Sequence, residues 1–171
     1  MIEHPDKLNN QAIILAADGN YTDAIACFKR AIILDRDNCL LWFNLGVTYK
    51  TKGDLILAKK ALLKSHELNS LNDDVTETLA TICLHLKDFE SVETYCLEGI
   101  NNNPSNSNLW NILGVKFFQS EDYNTASYCF ESALTINPYH KDALYNLKDT
   151  YSELNNTIGE SECENRLKEI P

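Results

Sequence analysis

Leu45, Leu79, Leu113 and Leu147 follow one another at a constant step of 34 residues, and no other feature of the chain limits its fold so tightly. Asp54, Asp88 and Asp122 keep the same step, and Trp42 and Trp110, the only tryptophans, lie 68 residues apart, twice that interval. A period of this length marks a chain built from stacked structural units, each too small to bury an apolar face by itself. The step divides residues 5–140 into four repeats, 5–38, 39–72, 73–106 and 107–140, without a gap or insertion.

Inside each repeat, apolar residues recur at helical spacing in two blocks of about fourteen residues, too short to be stable helices alone. Packing of one block on the other must hold them. Small residues stand where two helices would cross closely: Ala12, Gly46, Ala80 and Gly114 in the first block, Ala24, Ala58, Val92 and Ala126 in the second. The larger Phe28, Leu62, Cys96 and Phe130 fill the space beside them. Between the blocks lie Gly19-Asn20, Gly53-Asp54, Lys87-Asp88 and Glu121-Asp122, where glycine ends one helix left-handed and Asp or Asn caps the next.

Beyond His140 the register continues through Leu147 and Tyr151, but Lys148 and Glu160 occupy the two crossing positions. Residues 141–154 are therefore expected to form a lone C-terminal capping helix. Residues 155–171 read as a polar acidic tail, broken at Asn155, Asn156 and Gly159 and folding at most into a short helix.

Composition narrows the function. A formal net charge of −10, with no evident cluster of cations, argues against nucleic acid or an anionic membrane as partner. Residues 1–10 carry Glu3, Pro5 and Asp6 rather than a basic stretch followed by an apolar one, and no apolar run approaches the roughly 18 residues of a spanning helix. A cytoplasmic protein is expected. The six cysteines include no Cys-x-x-Cys pair and read as free, reduced thiols. The nearest approach to a metal or nucleophile site is Cys83-Leu84-His85 with Asp88, but the register sends Cys83 to the core, away from His85. With no phosphate loop, metalloprotease pair or nucleophile elbow in the chain, neither metal nor cofactor nor catalytic residue is expected, and the chain reads as no enzyme.

The phrases Trp42-x-x-Leu45-Gly46-x-x-Tyr49 and Trp110-x-x-Leu113-Gly114-x-x-Phe117, with Ala24-x-x-x-Phe28 and Ala126-x-x-x-Phe130, resemble the tetratricopeptide repeat over residues 5–140. The resemblance implies an all-α fold, a right-handed superhelical solenoid of antiparallel helix pairs, that binds a partner segment in a concave groove. In that family the first helix of each repeat lines the groove. The matching positions are Asn9 and Ile13; Phe43, Asn44, Val47 and Lys50; Asp74, Glu77, Thr81, Leu84 and His85; Asn108, Asn111, Ile112, Val115 and Phe118; and Tyr145 and Asp149 of the capping helix.

A subgroup of the family grips the C-terminal carboxylate of heat-shock chaperones through Lys, Asn, Asn, Lys and Arg. Here only Asn44 of that set is kept, with Asn9, Ile13, Asp74 and Thr78 at the other positions. A carboxylate tail is not the expected ligand. The resemblance implies a non-enzymatic adaptor or scaffold taking a protein or peptide of apolar and basic character. A small chaperone for secreted proteins is the alternative, an enzyme or nucleic-acid binder a more remote one, and the oligomeric state stays open.

Overall fold

The computed structural model describes residues 4–170, so residues 1–3 and Pro171 fall outside it, and with them part of the leader reading and the end of the tail. Among the described residues the chain forms helices and no strand. The helices are α1 (Pro5–Ala17), α2 (Tyr21–Leu34), α3 (Cys39–Lys52), α4 (Leu55–Leu68), α5 (Asp73–His85), α6 (Phe89–Asn102), α7 (Ser107–Gln119), α8 (Tyr123–Ile136), α9 (Lys141–Glu153) and α10 (Thr157–Glu169). The odd-numbered helices begin at 5, 39, 73, 107 and 141, one repeat length apart.

The turn inside each helix pair explains this regularity. Gly19 (φ 79°), Gly53 (95°), Lys87 (57°), Glu121 (61°) and Asn155 (56°) all adopt the left-handed conformation at successive steps of 34 residues. Only the first two are glycines, so Lys87 and Glu121 hold a backbone that L side chains resist. The next residue caps the second helix. Asn20, Asp88, Asp122 and Asn156 each accept a hydrogen bond from the backbone N–H three residues on, whereas Asp54 instead pairs with Lys52 at 2.9 Å. The turns between pairs repeat as well. Asn69, Asn103 and Asn137 accept from the N–H two residues on at 3.1–3.2 Å, and Asn38, Asn72, Asn106 and His140 cap the helices that follow.

Two compact units divide the chain, Met1–Ile82 and Cys83–Pro171, the division falling within α5. In the first unit α1 packs on α2 and α3 on α4, and α3 also meets α2 and α1. A Cβ added at Gly46 would lie 2.6 Å from Cγ of Leu62, so glycine is what lets α3 approach α4. In the second unit α7 packs on α6 and α8, and α9 on α8 and α7. There Gly114 plays the part of Gly46, its missing Cβ leaving 2.5 Å to the Phe130 ring. Phe130, Leu134, Leu144 and Leu147 form the core beside it.

One expectation is corrected: α9 does not stand alone, because α10 pairs with it. The crossing that Lys148 and Glu160 had argued against is supplied one position earlier by Gly159, where a Cβ would fall 2.7 Å from the Tyr151 ring. Cys163 is buried in the same core as Phe130 and Leu144, and Leu167 and Ile170 pack against it. Tyr151 Oη donates to Glu131 Oε1 at 2.8 Å, and the Arg166 guanidinium donates to the Pro138 carbonyl at 2.9 Å. Burial first, then that bond to Glu131, holds the Tyr151 hydroxyl well above its ordinary range.

Candidate protein-interaction surfaces

The positions singled out in the sequence lie on the first helix of each pair, and each unit arranges its share in its own way. In the first unit α1 carries Asn9 and Ile13, α3 carries Phe43, Asn44, Val47 and Lys50, and α5 carries Asp74, Glu77 and Thr81. Ile13 and Asp74 are exposed, whereas Phe43, Val47, Lys50, Glu77 and Thr81 are half-buried. Asn44 Nδ2 donates to Asn9 Oδ1 at 3.0 Å, so these two amides bridge neighbouring repeats. Below them Thr48 Oγ1 donates to the Asn44 carbonyl at 2.7 Å, and Thr81 Oγ1 likewise to that of Glu77 at 2.8 Å.

The second unit repeats the bridge. Asn146 Nδ2 donates to Asn111 Oδ1 at 2.9 Å, and Thr150 Oγ1 to the Asn146 carbonyl at 2.7 Å. Asn146 was not among the expected site residues, although it lies 102 residues, three repeat lengths, beyond Asn44. Beside the bridge, Val115, Phe118, Asn146 and Asp149 line a small pocket of about 50 Å³ floored by Phe130. The Phe118 ring is held edge-on to Tyr123 at 5.4 Å, with 66° between the planes. Asp149 is exposed at the rim, with Lys148 Nζ 3.9 Å from its Oδ1.

The remaining positions are more dispersed. Leu84 and Ile112 are half-buried, and His85 and Tyr145 are exposed. His140 Nδ1 accepts the Ala143 N–H, which leaves Nε2 to carry the proton and donate to Asn108 Oδ1 at 3.0 Å. Among the described residues no group of three or more His, Cys, Asp or Glu side chains stands where it could hold a metal ion. Cys83 is buried while His85 is exposed. Burial pushes the thiols of Cys96 and Cys129 up to about 12 and about 11, so at neutral pH they are protonated and poor nucleophiles.

Family models match part of the first unit, the TPR repeat over residues 14–53 and the tetratricopeptide repeat over residues 41–70. Residues 14–70 carry tetratricopeptide repeats. The chain's helix-pair fold is also that of solved structures: the crystal structure of MamA aligns with a TM-score of 0.85 at 16% identity, covering 96% of this chain and 90% of that one. YrrB, described as a TPR protein with an unusual peptide-binding site, aligns with a TM-score of 0.75 at 21% identity, covering 95% of this chain and 84% of that one. Among curated proteins, Superkiller protein 3 of Schizosaccharomyces pombe is 23% identical to this chain over 151 residues. Those residues are 84% of this chain but only 11% of that much longer protein. No helix among the described residues is long and apolar enough to cross a membrane.

Proposed function

We propose that this protein-interaction module works as a non-enzymatic cytoplasmic adaptor, its four repeats 5–38, 39–72, 73–106 and 107–140 closed by the α9–α10 pair. The groove positions of the first helices hold a segment of a partner protein. The observation that carries the reading is the pocket of Val115, Phe118, Asn146 and Asp149, where apolar walls adjoin an amide and an exposed carboxylate. Such a pocket suits an apolar side chain flanked by a basic one. Asp74 and Glu77 give the first unit's positions an acidic border too, and Lys50 supplies one cation there. A peptide-binding site in YrrB, a relative in fold, is consistent with a peptide as ligand.

The test is calorimetric titration of the partner captured from the native host, with wild type, Phe118→Ala and Asp149→Lys. Either substitution should weaken binding at least about tenfold while the helical spectrum is unchanged, since aromatic anchors carry most of an interface's energy. Unchanged affinity in both folded variants would remove the pocket from the binding site.

A further inference from the structure

A second surface, of opposite charge, lies in the first unit on α2, α4 and a face of α3 formed by Trp42, Leu45 and Tyr49, none of them groove positions. Two adjoining cavities of about 460 and 500 Å³ share Ile32, Ile33 and Trp42. Leu57 extends the apolar floor, and Ile33 and Leu57 are 68% and 42% exposed, so apolar side chains face water in the trough. Trp42 is fixed in place because its indole N–H donates to the Arg36 carbonyl at 2.8 Å.

Cations border this floor: Lys29 and Lys60 along one cavity, Arg36 and Lys64 along the other, with the Asp37 carboxylate among them and Lys64 Nζ also held by Glu67 Oε2 at 2.8 Å. The sequence had shown no evident cluster of cations, and folding creates one by packing α2 and α4 each against α3. Lining the two cavities are four cations, Lys29, Arg36, Lys60 and Lys64, and one carboxylate, Asp37, within a chain of net charge −10.

The rim is not a requirement of the repeat. Two repeats further on, the positions of Lys29, Arg36, Lys60 and Lys64 are taken by Leu97, Pro104, Tyr128 and Ser132, and every cation is gone. There Tyr128 meets Trp110 edge-on at 6.0 Å, whereas its counterpart Lys60 lines an open trough beside Trp42.

We propose that the Trp42 trough is a second docking site, which takes an acidic amphipathic segment of another protein, seating apolar side chains on Ile33, Trp42 and Leu57 while its carboxylates face Lys29, Arg36, Lys60 and Lys64. Charge complementarity selects an acidic occupant, and the apolar floor selects a peptide over a phosphate backbone. The protein then joins two partners of opposite character, a basic one at the groove positions and an acidic one here.

The probe is a synthetic helical peptide of about 14 residues with Leu and Phe on one face and Glu on the other, compared with the same peptide carrying Lys for Glu. Trp110→Phe leaves Trp42 as the only tryptophan and so a local reporter; calorimetry on the wild type covers the case in which that variant folds poorly. The Glu peptide should shift Trp42 emission and bind at least about tenfold more tightly than the Lys peptide at this reporter. Affinity should fall about tenfold in Arg36→Glu/Lys60→Glu and in Ile33→Asp, and decline with added salt. Phe118→Ala should leave it unchanged, which separates this site from the proposed groove. Equal response to both peptides, indifference to the charge reversals, or tighter competition by a single-stranded oligonucleotide would overturn the proposal. So would sedimentation showing that the wild type self-associates and that Lys60→Glu alone abolishes it, because a second copy would then be the occupant.

Discussion

Asn44 and Asn9 join their side-chain amides across 35 residues of sequence, at 3.0 Å, and Asn146 and Asn111 reproduce the bond across the same interval at 2.9 Å. Each pair is half-buried, where an amide without its partner is costly. The pairs tie one repeat to the next, which is a structural duty for Asn9, Asn44 and Asn111, residues that the family resemblance assigns to a binding surface.

Loss of either bridge should therefore weaken the fold itself. Asn44→Ala and Asn146→Ala are each expected to lower stability by about 1–2 kcal/mol in urea unfolding. The cycle with Asn9→Ala should show coupling of at least about 0.5 kcal/mol. Additive losses would mean that the amides do not act as a pair.

The left-handed turn residues offer a test in the stabilising direction. Lys87→Gly and Glu121→Gly should each raise stability by up to about 1 kcal/mol, as relief of the left-handed strain outweighs the greater freedom of the unfolded glycine. Gly53→Ala, at φ 95°, should lower it by a similar amount or more. Thermal melting of the three variants checks both signs.

Gly114→Ala should be harmful for another reason. The new methyl would meet the fully buried Phe130 ring at 2.5 Å, so the helix pair must separate or the ring must turn. A loss of about 1–3 kcal/mol is expected, and Gly114→Ala/Phe130→Leu should recover part of it.

Much of the fold was legible because helix-crossing residues must recur wherever helix pairs recur, and Gly46, Gly114, Leu62 and Phe130 meet as their spacing implies. The α10 pairing was not, since Lys148 and Glu160 were weighed while Asn156 and Cys163, each one repeat beyond Asp122 and Cys129, were passed over. Left-handed Lys87 and Glu121 were marked only by their register with Gly19 and Gly53, because neither residue favours that conformation. At the candidate surface, register assigns a side chain to a face but not to a bonding partner, which is why Asn9, Asn44 and Asn111 were placed correctly on the first helices without their amide pairings. The Trp42 trough was hidden because its cations are scattered between 29 and 64 in sequence and gather only when three helices fold together.

Deleting residues 155–171 tests the α9–α10 pairing. It strips Cys163, Leu167 and Ile170 from the core around Phe130 and Leu144, and the melting temperature should drop by roughly 2–4 °C for every kcal/mol lost. A truncated chain that melts unchanged would make α10 an appendage.

Thiol titration follows from burial. All six cysteines are free, and Cys39 alone is only half-buried, so at neutral pH one thiol should react quickly with a disulfide reagent and five only on unfolding. Because folding raises the Cys96 thiol from 9.0 to about 12, the unfolded chain loses that proton first as pH rises. Stability present below about pH 9 should thus decline from there to about pH 12, less steeply in Cys96→Ala than in wild type.

The recurring turn residue works like the pitch of a screw thread. From Gly19 to Asn155 the interval never varies, and the amide bridges are set by the same pitch. One residue inserted into any helix would rotate everything after it by about 100° and bring the wrong face to its neighbour. Such a chain tolerates lengthening or shortening by whole turns of the thread, one repeat at a time, and evolution by duplication is the course its geometry leaves open.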